Sequence, residues 1–162
     1  MSLTINYEDN LLPEGNYEMV IKSACEDVTK GGTQYISIPM VVRNDIEQKF
    51  QNVYLWHQIW RAKSPTKTDQ AFGGYLSAQL LRICQAAGIP KGTQFESLQD
   101  LLDALKGKPL NVTVYHDEYQ NQTSAKLKYS NTTKFPDCKH VFKSVAQELA
   151  DITEEDDLPF DL

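Results

Sequence analysis

Between Glu47 and Asp69 the chain has no acidic residue, and this window holds Lys49, Arg61, Lys63 and Lys67 around four aromatic side chains, Phe50, Tyr54, Trp56 and Trp60. The aromatics all fall on even positions, and Val53, Leu55 and Ile59 fall on odd ones. Side chains alternate across an extended strand, so a strand over 49–60 carries an aliphatic row on one face and an aromatic row on the other. A strand buried on both faces explains the same pattern; the flanking cations favour an exposed stacking surface. A second acid-free window, between Glu118 and Asp137, contains Lys126, Lys128 and Lys134. Flat π-faces for bases and local cations for phosphates are the two residue types that a nucleic-acid strand requires.

The net charge of −6 conceals these windows. Of 22 acidic residues, seven (Glu148, Asp151, Glu154, Glu155, Asp156, Asp157 and Asp161) follow the last basic residue, Lys143, which leaves 15 acidic against 16 basic in the rest of the chain. An acidic average therefore does not exclude a phosphate-bearing partner. A one-signed block of this kind reads as a solvated tail. Pro159 biases Leu158 toward extended backbone, so Leu158 and Phe160 become apolar anchors on an acidic string. A merely solubilising tail is the plain alternative. The organisation expected is a leader over 1–14, one domain over 15–143 and an acidic interaction tail over 144–162. Glu8 and Asp9 do not suit a signal peptide, and no apolar run approaches the roughly 20 residues of a membrane span. Three widely spaced cysteines, Cys25, Cys84 and Cys138, argue for a reducing, cytoplasmic setting rather than a disulfide framework.

The elements that must position the aromatic row follow from period and punctuation. Tyr17, Met19 and Ile21 alternate with Asn16, Glu18 and Lys22, which predicts a first strand, with Val20 as an apolar exception on the polar face. Thr29 to Thr33 is a glycine turn with Lys30 at its tip, leading to a second strand over 35–42 that begins with Tyr35. Pro39 inside it predicts an edge position or a bulge. The third strand is 49–60. Leu76, Leu80, Ile83, Cys84 and Ala87 predict one helix from Thr68 or Asp69 to about Ala87, weakened by Gly73-Gly74. Ser97-x-x-Asp100 opens a second helix. A fourth strand over 109–115 turns Leu110, Val112 and Val114 inward and Tyr115 outward. After a polar turn over 118–122, a fifth strand over 123–129 turns Ala125, Leu127 and Tyr129 one way and Lys126 and Lys128 the other. Residues 130–143 either pack back on the sheet or continue as a short helix.

Other chemistries find little support. Cys138-x-His140 is the one close Cys/His pair and no C-x-x-C occurs, so neither a zinc site nor another cofactor is expected. His57 reads as a packed histidine. His116-Asp117-Glu118 could be drawn as a fragment of a metal-dependent nuclease, but charged residues are ordinary at a strand end. No phosphate loop, dinucleotide fingerprint or nucleophile motif is present. A non-enzymatic binder is therefore expected.

Three strands, helix, two strands is the connectivity of an OB-fold, so the fold expected is mainly β: a five-stranded antiparallel barrel with one or two helices between strands three and four. The competitor is an open five-stranded sheet with two helices on one face. The sequence adds two resemblances. Asp156-Asp157-Leu158-Pro159-Phe160 resembles the acidic C-terminal tip of bacterial single-stranded DNA-binding proteins, which recruits replication, repair and recombination proteins. Gly15-x-Tyr17-x-x-x-Ile21 with Thr29-Lys30-Gly31-Gly32 is similar to a family from phages of Gram-positive hosts, long labelled as of unknown function and thought to bind single-stranded DNA; this similarity spans about residues 11–130. The bacterial tip ends at its phenylalanine, whereas here Asp161 and Leu162 follow. Either Asp161 replaces the terminal carboxylate or Leu162 takes the anchoring role.

The resulting expectation is a protein that binds single-stranded DNA largely without sequence preference and recruits replication or recombination proteins through Asp156, Asp157, Leu158, Pro159 and Phe160. Stacking candidates are Tyr35, Phe50, Tyr54, Trp56, Trp60 and Tyr115, of which some are expected in the core and Trp56 is the first choice for base contact. Phosphate candidates are Lys30, Lys49, Arg61, Lys63, Lys126 and Lys128. No membrane partner is expected, and homo-oligomerisation is left open. The alternatives are a recombination mediator acting through protein contacts alone and the nuclease using His116, Asp117 and Glu118.

Overall fold

A computed structural model describes residues 11–142. The first ten residues of the expected leader, and the expected tail with Asp156, Asp157, Leu158, Pro159 and Phe160, lie outside the described residues. The elements are β1 (Gly15–Ile21), β2 (Cys25–Val28), β3 (Gln34–Val42), β4 (Tyr54–Trp60), α1 (Lys67–Ala71), α2 (Ser77–Ala86), α3 (Leu98–Leu105), β5 (Pro109–Tyr119) and β6 (Gln122–Asn131). They form one antiparallel sheet of six strands with three short helices inserted between β4 and β5. Six strands replace the expected five because the first arm is interrupted after Ile21 and resumes at Cys25.

The sheet is organised on β3. Along one edge β3 pairs with β4 from Tyr35 to Val41. Along the other it pairs first with β2, through Gln34–Ser37, and then with β1, through Met40–Val42. Pro39 sits at the changeover. Its carbonyl accepts from Lys22 N at 2.9 Å, so its nitrogen faces the same gap between β1 and β2, where no ladder partner is needed. The expectation of an edge strand is thus corrected: the strand is central, and the interruption lies in its neighbour. From β1 the path continues through β5 to β6, so β4 and β6 are its two ends.

Period two accounts for the core. Tyr17, Met19 and Ile21, then Ile36, Ile38, Met40 and Val42, then Leu55 and Ile59, then Leu110, Val112 and Val114 are all buried. Leu80 and Ile83 of α2 and Leu101, Leu102 and Leu105 of α3 join the same cluster. The other face of β1 is also covered, because Glu18 and Val20 are buried as well. What covers Glu18 is the segment after β6, which packs back as a strap. Glu18 accepts from Thr133 Oγ1 at 2.7 Å and Lys134 N at 3.1 Å. At the end of β3, Arg43 is completely buried. It grips Asp45 through Nε and Nη2 at 2.9 and 2.6 Å, and it donates to the carbonyls of Phe135 at 2.7 Å and Asp137 at 3.4 Å. Asn44 continues the clasp: its backbone N–H donates to His140 Nδ1 at 3.0 Å.

Two further expectations are corrected by backbone geometry. The helix over 68–87 is two helices. Thr66 caps α1 in a capping box with Asp69, and Asp69 also accepts from the backbone N–H and hydroxyl of Ser77 at the start of α2. Between them Gly73 and Gly74 have φ of +75° and +87°, which ends the first helix and redirects the chain. The third strand begins at Tyr54 rather than at residue 49, because Phe50 and Asn52 have φ of +65° and +71° and form a turn closed by Asn52 N donating to Val42 O. The last hairpin is longer than expected, with β5 running to Tyr119 and β6 starting at Gln122 around Gln120 and Asn121, both left-handed.

Arg43→Ala takes from the Asp45 carboxylate its buried cation and from the Phe135 and Asp137 carbonyls their donor, and is expected to lower stability by about 3–5 kcal/mol, read as a shift of the urea midpoint; an unchanged midpoint would mean that the strap is held by other contacts. A Cβ at Gly74 would lie 2.7 Å from Arg61 Nη2 at a backbone angle that disfavours it. Gly74→Ala is therefore expected to cost about 1–2 kcal/mol from the backbone alone, measured as a fall in melting temperature, whereas Gly88→Ala meets no neighbouring atom and carries the backbone strain without the clash.

Candidate functional site

Alternation on β4 divides its side chains as the sequence implies. Leu55 and Ile59 go into the core, while Trp56 is 67% and Trp60 38% exposed. Pairing extends this row in both directions. Tyr54 stacks on Trp56 with ring centres 5.2 Å apart and planes at 17°. Tyr35 stands opposite Trp60 in the β3–β4 ladder, their rings 5.0 Å apart. Four of the six expected stacking residues thus form two adjacent aromatic pairs along one surface. Phe50 does not join them: its turn carries it to Tyr17, edge-on at 6.2 Å, and this expectation is corrected.

The second wall comes from β5 and β6. Their ladder has an irregularity between Thr113 and Val114: Val114 pairs with Leu127 and Thr113 with Tyr129, which leaves Lys128 as an extra residue. A bulge of this kind advances the following side chain to the opposite face. Tyr129, expected on the same side as Ala125 and Leu127, is therefore turned away from them and 59% exposed. It lies beside Tyr115 and Lys126, and the ammonium of Lys128 is 5.5 Å above its ring. No sequence signal marks the bulge.

Trp56 and Trp60 from β4, Tyr115 and Tyr129 from β5 and β6, and Gln79 and Arg82 from α2 line one cavity of about 610 Å³. The two ends of the hydrogen-bonded path therefore face a common groove, with α2 between them. Its lining includes Arg82, Lys126 and Lys128 and no acidic residue. Lys126 is shared with Asp117 at 2.9 Å, which lies beyond the lining. Arg82, Gln79 and Tyr129 are contributions that the sequence reading missed. Lys22, outside the lining, is a further cation beside the aromatic row, its ammonium 5.1 Å above the Tyr54 ring. Alternation could have pointed to Lys22, but a helical residue such as Arg82 enters only through tertiary packing.

The remaining cations are differently placed. Arg61, expected to hold phosphate, donates to Gly73 O at 2.8 Å and to Gln34, and its guanidinium lies 5.3 Å over the Tyr75 ring. It ties the α1–α2 turn to the sheet. Lys30, Lys49 and Lys63 are exposed and do not line the groove. His57 is half-buried beneath the aromatic row, and burial pushes its pKa down to about 4, so it is neutral at pH 7. His116 and Asp117 follow one another on β5, and His116 Nε2 meets Leu12 O at 2.8 Å while Asp117 pairs with Lys126. Among the described residues no three of His, Cys, Asp and Glu are grouped so as to hold a metal ion.

What these elements define is a mainly antiparallel β-sheet protein with a basic, aromatic-walled groove between its sheet ends. The chain belongs to the family described as Protein of unknown function (DUF669), which matches residues 4–149 and thus the sheet, the helices and the strap. No curated protein matches the chain.

The His57 environment generates a pH prediction. The unfolded chain takes up a proton near the ordinary value of 6.5, whereas the folded chain resists until about 4. Stability from this group is therefore complete above about 6.5 and falls as the pH drops toward 4. His57→Gln should flatten that part of the stability–pH curve in urea titrations from pH 7 to 4.5; an unaltered slope would assign the acid sensitivity elsewhere.

Proposed function

We propose that this chain is a single-stranded DNA-binding protein acting in phage replication or recombination. The observation that carries this reading is the groove itself, where Trp56 and Trp60 on one wall and Tyr115 and Tyr129 on the other are accompanied by Arg82, Lys126 and Lys128. Indole and phenol faces accept any base, at about 1–3 kcal/mol for each base stacked, and the cations neutralise the backbone between them. The strand order, with the helical insert between β4 and β5, fits an OB-fold barrel in which β1 and β2 together make the first strand. On this reading the strand crosses the mouth between the sheet ends and runs on over Tyr54 and Tyr35. The similarity to the phage family, over about residues 11–130, supports the same assignment. The acidic tip Asp156-Asp157-Leu158-Pro159-Phe160 then recruits replication and recombination proteins, its Leu158 and Phe160 entering apolar pockets on them.

The test is a titration with oligo-dT while tryptophan emission is followed. Binding should quench the emission, and the logarithm of the affinity should fall with log salt at a slope of about −2 if three cations meet phosphates. Trp56→Ala and Tyr129→Ala should each weaken binding about tenfold, and Phe50→Ala should leave it within twofold. Absence of quenching, or quenching indifferent to salt, would overturn the reading.

A further inference from the structure

Stacking and phosphate contact leave part of the groove unused. Besides its aromatics and cations, the lining contains three carboxamides, Gln58 on β4, Gln79 on α2 and Asn131 at the end of β6. A carboxamide cannot neutralise a phosphate. It carries a donor and an acceptor side by side, which is the pattern that matches the edge of a base. Gln79 and Arg82 are three residues apart and so share one face of α2. That face is firmly mounted: Leu80 and Ile83 are buried, and the Ser130 hydroxyl donates to Arg82 O at 3.4 Å. Arg82 therefore presents a planar fork of N–H donors from a rigid helix into a groove walled by rings. Unlike Arg61, its guanidinium makes no hydrogen bond or ion pair among the described residues.

Resting on the strand-binding reading above, we propose that the groove reads one base of the bound strand by its edge, and that this base is guanine, recognised by Arg82 together with Gln79 and Asn131. A base stacked between the aromatic walls turns its edge toward α2. Guanine there offers two adjacent acceptors, O6 and N7, to the guanidinium fork, and its N1–H and amino group to carboxamide oxygens. Adenine places an amino donor against the fork. Thymine has no two adjacent acceptors, and cytosine, which has O2 and N3, has no ring N–H to offer the carboxamide oxygens beside its amino group. The bound strand thus has one selective position within a largely sequence-tolerant footprint.

The full chain is titrated with oligo-dT, and with the same oligomer carrying a single central dG, dA or dC. The dG oligomer is expected to bind about tenfold more tightly than oligo-dT, with the dA and dC oligomers within about twofold of it. Replacing that dG by 7-deazaguanine, which lacks N7, should remove most of the gain without altering the protein. Arg82→Lys keeps the charge but loses the fork; it should bring the dG oligomer to parity with oligo-dT measured on the same variant, and a tenfold dG preference that survives it would overturn the role given to Arg82. Equal affinities for all four oligomers, or full retention of the dG gain with 7-deazaguanine, would overturn base reading and leave strand binding intact. Failure of every oligomer to bind would overturn both.

Discussion

A guanidinium with no exposed surface terminates the central strand, and much of the fold depends on its being satisfied. Arg43 has five N–H groups, and all are engaged: two on the Asp45 carboxylate and the rest on Thr133 Oγ1 and the carbonyls of Phe135 and Asp137. The pairing holds the Asp45 carboxyl down at a pKa of about 2, well below the usual range, chiefly through its hydrogen bonds with Arg43. A buried cation left unpaired would cost several kcal/mol. The strap over 132–142 can therefore lie in few other places, and once there it closes the outer face of β1 over Glu18. This is why β1 can serve as an interior strand with both faces covered although its sequence alternates as if one face were wet.

The sheet that this clasp locks together leaves its two end strands facing one groove. Edge strands usually need protection from foreign pairing. Here β4 and β6 present bulky rings and cations to the space between them, and α2 stands in the gap. Those rings and cations are also the surface on which the proposed strand binding rests. The groove owes its second wall to one extra residue. Without Lys128 bulging from the β5–β6 ladder, Tyr129 would point inward with Leu127 and the wall would lose a ring.

The helical insert shows the same dependence on a local backbone detail. A continuous helix from Thr68 to Ala87 would run on in one direction. The left-handed glycines at 73 and 74 break it, Asp69 stitches the two pieces through Ser77, and Arg61 fills the space that glycine leaves open. The outcome is a short α2 whose apolar face enters the core and whose polar face, with Gln79 and Arg82, meets the groove. Arg61 and Arg82 show that net charge in a window says little about availability: both stand in stretches without acidic residues, yet Arg61 is occupied by structure and Arg82 is aimed at the groove.

Local periodicity by itself determined most of the strands and their inward rows. Tyr17, Met19 and Ile21, and equally Leu55 and Ile59 against Trp56 and Trp60, follow from alternation, which is a property of each extended segment alone. The caps at Ser97 and the turn over 29–33 are equally local. Tertiary structure alone decided that Pro39 lies in a central strand, because the gap that tolerates it belongs to β1 and β2. It also decided that Tyr129 faces out, because a bulge is a mismatch between two strands and neither encodes it separately. Phe50 left the aromatic row because the β3–β4 connection needed left-handed residues there. Arg43 became buried because groups some 90 residues further along the chain return to meet it. Contacts of that range depend on how the whole sheet closes on itself, and no window of neighbouring residues contains that information.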